Sequence, residues 1–560
     1  MRKALGVIAI AGFLTLALSA AGASSGTRQG RMQQVRGIPS AEVALQRALA
    51  IFRPQLAQAR FRKAARDPRG ATIVLRDLAA TMSGLTGAER RLAESILARP
   101  TDGKGGDYTA PKGDFKRTCP ANLCIHWVTS TRDAPSLTDK KPHNHIPDWI
   151  DKTKGVMKTV WSKEISNLGY KKPKPDPPFG GHNGGNPNSK LDIFIQDVGR
   201  FGIYGFCTTD DPELNARRDV SAYCVFDDDY AKGQFPGIHG VSALKVTAAH
   251  EFHHASQFAY DWKEDRALLE ATATNMEADV YGSIHDNFQY LVESPLRHQN
   301  DSTDGPWWPV DMFDADFGNQ YGDWIFFRFL EEYFGSATHP SATRDASINR
   351  EIWNQAKAVP GTNNGGKYST QAITAAIAAR TDPITSTPAD FSHVFANFGW
   401  ANAKPNVWYK DGGLYPSAGF VDRGLFGPGD SDAQNWPMSH FSNDYVAFRP
   451  NATSLTIDFT LDFPQTARGA NGTILVINNN GTVVPTDLGP LLDANGNAAV
   501  NGIPFDDATV AKVVLVITND SVAMDNCGTH SFSTHVTFAC RGDAHDDFPS
   551  GGFNYSVDVN

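Results

Sequence analysis

The 560-residue chain reads as a multidomain protein: an α+β central body between a helical N-terminal segment and a C-terminal β-sandwich. Three observations point there. The length exceeds what one hydrophobic core ordinarily fills. Apolar residues recur at helical spacing between Pro39 and Ala98. From about Asn443 they alternate between turn signals, the texture of an all-β unit. The expected divisions are 1–23, a signal peptide; 24–110, a basic helical propeptide or N-terminal subdomain; 111–440, the central domain; and 441–560, a β-sandwich accessory domain.

The N-terminus justifies the first two divisions. Arg2 and Lys3 precede the apolar run Ala4–Leu18, and small residues follow at Ala20, Ala21, Gly22 and Ala23, as in a cleavable export signal. The run is short for a bilayer span. A secreted chain, extracellular or periplasmic, is therefore expected, with no membrane association once the signal is removed. Six cysteines in three close pairs agree with an oxidising compartment. Their simplest pairing is Cys119 with Cys124, Cys207 with Cys224 and Cys527 with Cys540. From Ser24 to Thr109, 15 Lys and Arg stand against 7 Asp and Glu, although the whole chain carries −9. A basic head thus precedes an acidic body. The Gly- and Lys-rich stretch Thr101–Phe115 between them reads as a linker. This arrangement suits a propeptide covering an acidic face, or a permanent subdomain. The absence of a basic excess argues against a nucleic-acid partner.

The elements follow in order. Ser40 is a plausible N-cap for a helix whose stripe includes Ala41, Leu45, Ala48 and Leu49; Leu75, Leu78, Leu92 and Ile96 mark later helices. The body begins with a strand at Leu123–Thr129 and a helix at Ile146–Leu168. Strands are expected at Leu191–Val198 and Ala222–Phe226, then helices at Val241–Tyr260, Glu264–Tyr281 and Trp324–Phe334. Asp411–Met438, rich in Gly, Pro and Asp, reads as the joint before the β region. Strands there are expected at Tyr445–Arg449, Leu455–Leu461, Thr473–Asn478, Ala511–Thr518, His530–Phe538 and Tyr555–Val559. Asn471-Gly472, Asn480-Gly481, Asn495-Gly496 and Asn501-Gly502 read as the turns between them.

The chemistry concentrates in Val246–Phe258, VTAAHEFHHASQF. His250-Glu251-Phe252-His253-His254 is H-E-x-x-H. On a helix, positions i and i+4 share one face, so His250 and His254 can hold one Zn²⁺, and Glu251 beside the first ligand can act as general base. His253 lacks that spacing and is expected to support the site or the core. The third ligand is expected on the next helix. Glu270 follows His254 after 15 intervening residues, enough for a turn and a return helix. It would complete a His₂Glu site with one open position. Glu277, two turns on, is the runner-up ligand, and a supporting role suits it better.

HEFHHASQFAYD followed by LLEATATNMEADVY resembles the gluzincin group of zincin metallopeptidases. More narrowly it is similar to secreted bacterial proteins, classed by inference as metalloproteases, with A-A-H-E-x-x-H-x-x-Q-F and then E-x-T-A-x-x-x-E. The match is local, about Lys245 to Tyr290, and weaker on either side. The spacer before Glu270 is short for a gluzincin and the Asn-Glu dipeptide is missing. The resemblance implies a zincin-like catalytic domain, Glu270 as third ligand and Glu251 as catalytic base. It names no substrate beyond protein or peptide.

Zincins usually bind substrate along a strand edge, for which Leu191–Val198 is the candidate. Tyr321, His285 and Tyr281 are candidates for stabilising the transition state. Asp227, Asp228 and Asp229 offer oxygen ligands for Ca²⁺, against the plainer reading of solvated turn acids. The expected function is a zinc-dependent endopeptidase. The competing reading is a non-catalytic secreted zinc protein, its C-terminal domain binding carbohydrate or a cell surface. Another exported hydrolase, such as a glycosidase, has no announced carboxylate pair.

Overall fold

Ser40 caps the first helix as its sequence predicts, its Oγ accepting from the Val43 N–H at 3.3 Å. The computed structural model describes residues 40–64, 67, 69–102, 108, 110–175, 190–296, 308–314, 318–341, 343–525, 536–539 and 544–560. The expected signal peptide, the Cys527–Cys540 pair and residues 103–107 of the expected linker lie outside the described residues. Helices α1 (Ala41–Phe52), α2 (Ala59–Ala64), α3 (Ala71–Thr81) and α4 (Gly87–Ile96) form the N-terminal segment. Their apolar faces, with Leu45, Leu49, Leu75 and Leu78, share one hydrophobic cluster with the central sheet. Among the described residues the segment has no separate core.

That sheet holds β1 (Phe115–Thr118), β2 (Leu123–Val128), β3 (Leu191–Ile195), β4 (Gly205–Thr208) and β5 (Tyr223–Phe226), in the order β1-β2-β3-β5-β4. β2, β3 and β5 run parallel, with antiparallel β1 and β4 at the edges. β2 and β3 are buried throughout, which explains their nearly unbroken apolar runs. The candidate substrate edge at Leu191–Val198 is therefore corrected. Its strand, β3, pairs on both sides and has no free edge. β4 is a free edge, and its four residues carry too short a pattern to be found in sequence. Buried Asp192 in β3 accepts from Arg99 Nη1 at 2.8 Å and bonds His126 Nε2 at 2.8 Å. Arg99, just beyond α4, also reaches Asp210 through Nε at 2.7 Å. Disulfides join Cys119 to Cys124 and Cys207 to Cys224, the local pairings expected.

Helix α5 (Asp148–Trp161) continues into a π-helical turn, Ser162–Asn167. α6 (Gly240–Asp261) crosses the sheet, and α7 (Arg266–Tyr281) returns beside it. Gly205 permits close packing of β4 on α6: a Cβ there would stand 3.1 Å from Thr247 Cγ2 and 2.9 Å from the Val225 carbonyl oxygen. The short strand β6 (Phe313–Asp314) precedes α8 (Asn319–Gly322), α9 (Trp324–Gly335), α10 (Ser347–Ala356), α11 (Thr370–Ala378) and α12 (Phe391–Ala403). α7 and α9 to α12 enclose a second cluster around Trp324, Phe326, Trp353 and Phe398. Among the described residues no helix is long and apolar enough to cross a membrane.

The C-terminal strands are β7 (Val421–Phe426), β8 (Ser431–Met438), β9 (Ser442–Pro450), β10 (Thr456–Asp462), β11 (Ala470–Asn478), β12 (Val483–Asp487), β13 (Asn497–Pro504), β14 (Val510–Asn519), β15 (Val536–Thr537) and β16 (Phe548–Val559). They form sheets ordered β13-β10-β16-β8 and β12-β11-β14-β9-β7, whose apolar residues meet in one cluster. β15 instead pairs with β6. The region read as a joint thus contains two strands, β7 and β8. Their half-exposed faces tolerate the polar and Gly-rich composition that suggested a linker. Asn471-Gly472, read as a turn, lies inside β11. Glycine is needed there because a Cβ would stand 2.5 Å from the Val516 carbonyl oxygen of β14.

Arg99 ties the end of the helical segment to the middle of the sheet. Arg99→Ala removes the guanidinium from buried Asp192 and from Asp210. It should destabilise the fold by about 3–5 kcal/mol, seen as a lower urea midpoint and faster proteolysis of α1–α4.

Candidate metal centre

Helix α6 is buried on nearly every side from Ala243 to Asp261, yet it carries His250, Glu251, His253, His254, Ser256, Gln257 and Asp261. A buried helix of this kind is stable only if its polar groups find partners. Asp261 takes Arg218 Nε at 2.7 Å, Ser256 donates to the Lys171 carbonyl at 2.6 Å, and His253 Nδ1 meets Glu164 Oε2 at 3.1 Å. These contacts fix the helix. The remaining groups converge on α7.

The turn from α6 to α7 is short, and the Asp265 carboxylate caps α7 by accepting from the Leu268 N–H at 3.2 Å. α7 therefore returns alongside α6 and sets Glu270 against the two histidines. His250 Nε2 lies 3.1 Å and His254 Nε2 3.6 Å from Glu270 Oε2. All three side chains are fully buried. Two donors held tetrahedrally at 2.0–2.1 Å from one zinc ion stand about 3.4 Å apart, so these separations suit a common ion.

The opposite ring nitrogens are committed. His250 Nδ1 bonds Glu277 Oε1 at 2.9 Å, and His254 Nδ1 bonds Gln257 Oε1 at 2.7 Å. Gln257 is held in turn by donating from Nε2 to the Leu269 carbonyl at 2.9 Å and to Thr272 Oγ1 at 3.0 Å. Anchoring at Nδ1 aims each Nε2 at Glu270, the arrangement by which protein metal sites orient imidazoles. His254 Nε2 and Glu270 Oε1 have no hydrogen-bond partner although both are buried. Unpaired buried polar atoms are costly. A divalent metal would satisfy both, so the donor set fits zinc.

His250, His254, Glu270 and Glu277 form a network of buried ion pairs. Burial opposes charge on His250, but the hydrogen bonds it donates to the Glu270 and Glu277 carboxylates outweigh it and push the imidazolium up to about 10. Burial likewise opposes charge on Glu270, yet the His254 and His250 charges hold it down at about 2. Burial raises Glu251 above the ordinary glutamate value, partly offset by the same histidines and by Thr72.

The expected residues divide. His250, His254 and Glu270 gather at one place with Glu251 within electrostatic reach of all three, and Glu277 holds His250 through Nδ1. His253 instead faces Glu164 and packs edge-on against Tyr170 at 4.9 Å, and so serves the core. The Tyr321 ring lies 6.3 Å from that of His250. Tyr281 donates to the Val156 carbonyl, and exposed His285 stacks on Phe288. Those contacts commit both to other surroundings. Asp227 and Asp228 converge with Asp197, not with Asp229, whose carboxylate accepts from the Ala231 N–H at 2.7 Å. Asp227 accepts from the Gly199 and Tyr230 N–H groups at 2.6 Å each, which organises the loop. Burial pushes Asp227 up to about 6; burial and the Asp227 charge push Asp228 up to about 8.

Residues of the N-terminal segment also reach the centre, and the sequence reading missed them. Thr72 Oγ1 donates to Glu251 Oε2 at 2.8 Å and accepts from the Cys207 N–H at 2.9 Å. Arg69 Nη1 donates to Glu277 Oε1 at 2.8 Å, and its Nη2 pairs with Asp286. Tyr321 donates to Asp67 Oδ2 at 2.6 Å. Of the missed residues only Gln257 had a local signal, its i+3 spacing from His254. The chain matches no protein-family model, and no curated protein is significantly similar to it.

A zinc ion taken up by this donor set would have to displace the proton that Glu270 and Glu277 favour on His250. Calorimetry of metal-free chain at pH 7.5, in buffers of differing ionisation enthalpy, should show about one zinc bound and about one proton released. His254→Ala should abolish both signals.

Proposed function

We propose that the chain is a secreted zinc-dependent endopeptidase of the zincin type, with residues 24–110 as its pro-segment and the two-sheet region as a β-sandwich accessory domain. The observation that carries the reading is the convergence of His250, His254 and Glu270 beside Glu251 on one buried helix pair. The two disulfides suit export.

His250, His254 and Glu270 would hold the ion, with Glu277 and Gln257 fixing the imidazoles. When bound, zinc supplies a Lewis acid that polarises a carbonyl and lets water react near neutral pH. Glu251 takes the proton of the attacking water and returns it to the leaving amine. Its burial favours this, because a carboxylate desolvated above its ordinary pKa is a stronger base. Tyr321 is the remaining candidate to donate to the developing oxyanion. Burial, with the charges of Asp67 and Glu270, keeps its hydroxyl protonated.

The substrate backbone would align on β4. Cys207 stands directly opposite Cys224 with their Cα atoms 4.1 Å apart, the close spacing of a pair that exchanges no hydrogen bonds. The Cys207 N–H therefore points away from the sheet, available to an added strand. In this structure it bonds Thr72.

A second reading, a zinc protein without catalysis, is favoured by the complete burial of the three ligand residues. Under it the C-terminal region would be the working part. An open groove of about 490 Å³ lined by Gln434, Asn435, Asn554 and Tyr555 is the place to test carbohydrate binding.

Glu251→Ala separates the two readings. Casein hydrolysis is measured on the full chain before and after limited trypsin treatment, with zinc content alongside. The variant should keep about one zinc and lose roughly 10²–10⁴-fold in rate. Zinc in both proteins with hydrolysis in neither, before or after trypsin, would leave the non-catalytic reading standing.

A further inference from the structure

Three side chains from one short stretch meet the centre at three different functional points. Thr72 engages the carboxylate of Glu251 and the outward N–H of β4. Asp67 engages Tyr321. Arg69, only 2 % exposed, sits between the carboxylates of Glu277 and Asp286. Its guanidinium also lies over the rings of Tyr204 and Tyr290, 5.2 and 5.9 Å from their centroids. A bound peptide would be expected to meet the same base, strand edge and tyrosine. The longest side chain inserted from this stretch is a cation in an acidic, aromatic-walled pocket.

We propose that Glu277, Asp286, Tyr204 and Tyr290 form a subsite for a basic side chain of the peptide substrate, arginine above lysine, and that Arg69 fills it as a built-in competitor. The proposal rests on the peptidase reading for its substrate, while the pocket's affinity for a guanidinium can be tested without catalysis. Glu277 Oε1 already serves His250 Nδ1, and Oε2 has no partner although buried. With Arg69 withdrawn, Glu277 and Asp286 lose the cation that bridges them, and burial with the Glu277 charge disfavours a negative charge on Asp286. A planar guanidinium can satisfy both acids and stack on the rings, whereas an ammonium offers no plane. The pocket lies beside the ligands through Glu277, so a basic side chain seated there fixes the register of the peptide against Glu251.

The test uses the full zinc-loaded chain in two backgrounds. For binding, Glu251→Ala prevents turnover, and Arg69→Ala or Thr72→Val releases the segment. Peptides identical except for Arg, Lys, Gln or Glu at one position are titrated by calorimetry. The Arg peptide should bind the released variants roughly tenfold or more tighter than the Gln peptide. It should bind the chain with Arg69 and Thr72 intact at least about tenfold more weakly. Adding Asp286→Asn should remove most of the Arg preference. For turnover, Arg69→Ala and Thr72→Val in the Glu251 chain should hydrolyse the Arg peptide faster than the unaltered chain does. Thr72→Val keeps the Arg69 guanidinium in the chain to pair with the pocket acids as the protein folds, and only loosens its seat, so it remains informative if Arg69→Ala does not fold. Equal binding of Arg and Gln peptides by the released variants overturns the subsite even where all are cleaved. Arg-selective binding with no hydrolysis in any variant supports the subsite and overturns the peptidase reading.

Discussion

One buried carboxylate organises the centre of this molecule. Glu270 has no access to water and stands against two imidazoles, so α6 and α7 cannot separate without leaving charged groups unpaired in a nonpolar interior. The contacts around it follow from that demand. Glu277 and Gln257 occupy the far nitrogens of the histidines, and Arg69 and Asp286 extend the network from Glu277. Apolar packing fixes where the helices lie, with α6 against β4 and β5 and α7 against α9. The polar chain fixes their rotation and their register.

The centre was more legible in sequence than its surroundings. H-E-x-x-H declares its geometry because four residues make about one helical turn. Glu270 needed only a short turn and a return helix. Thr72, Arg69 and Asp67 gave no such sign, since their partners lie 179, 208 and 254 residues away and only tertiary packing joins them. Local periodicity cannot express such distances.

The fold shows the same division. The helices around the centre and most of the longer strands were recognisable by periodicity, often within two residues at each end, whereas α10, α11, α12 and β13 were not anticipated. The edge strand β4 was not, because a four-residue strand beside a disulfide has too little alternation to be distinguished from a loop. β7 and β8 were read as a joint because edge and half-exposed strands accept Gly, Pro and Asp. The position of β3 illustrates a further limit. An apolar run identifies a buried strand, but whether neighbours cover both sides is a property of topology.

The distances that hid the N-terminal contacts also bear on how the chain is assembled. Arg69 is synthesised 208 residues before Glu277, roughly 10–40 s earlier at ordinary translation speeds. Throughout that interval the guanidinium has no complete pocket, and until Phe226 is made the neighbouring helices lack the complete sheet against which their apolar faces pack. Closing so long a loop is entropically slower than pairing α6 with α7, which are joined by a few residues. The N-terminal stretch is thus expected to be seated late, after His250, His254 and Glu270 have been brought together on a face it does not yet cover.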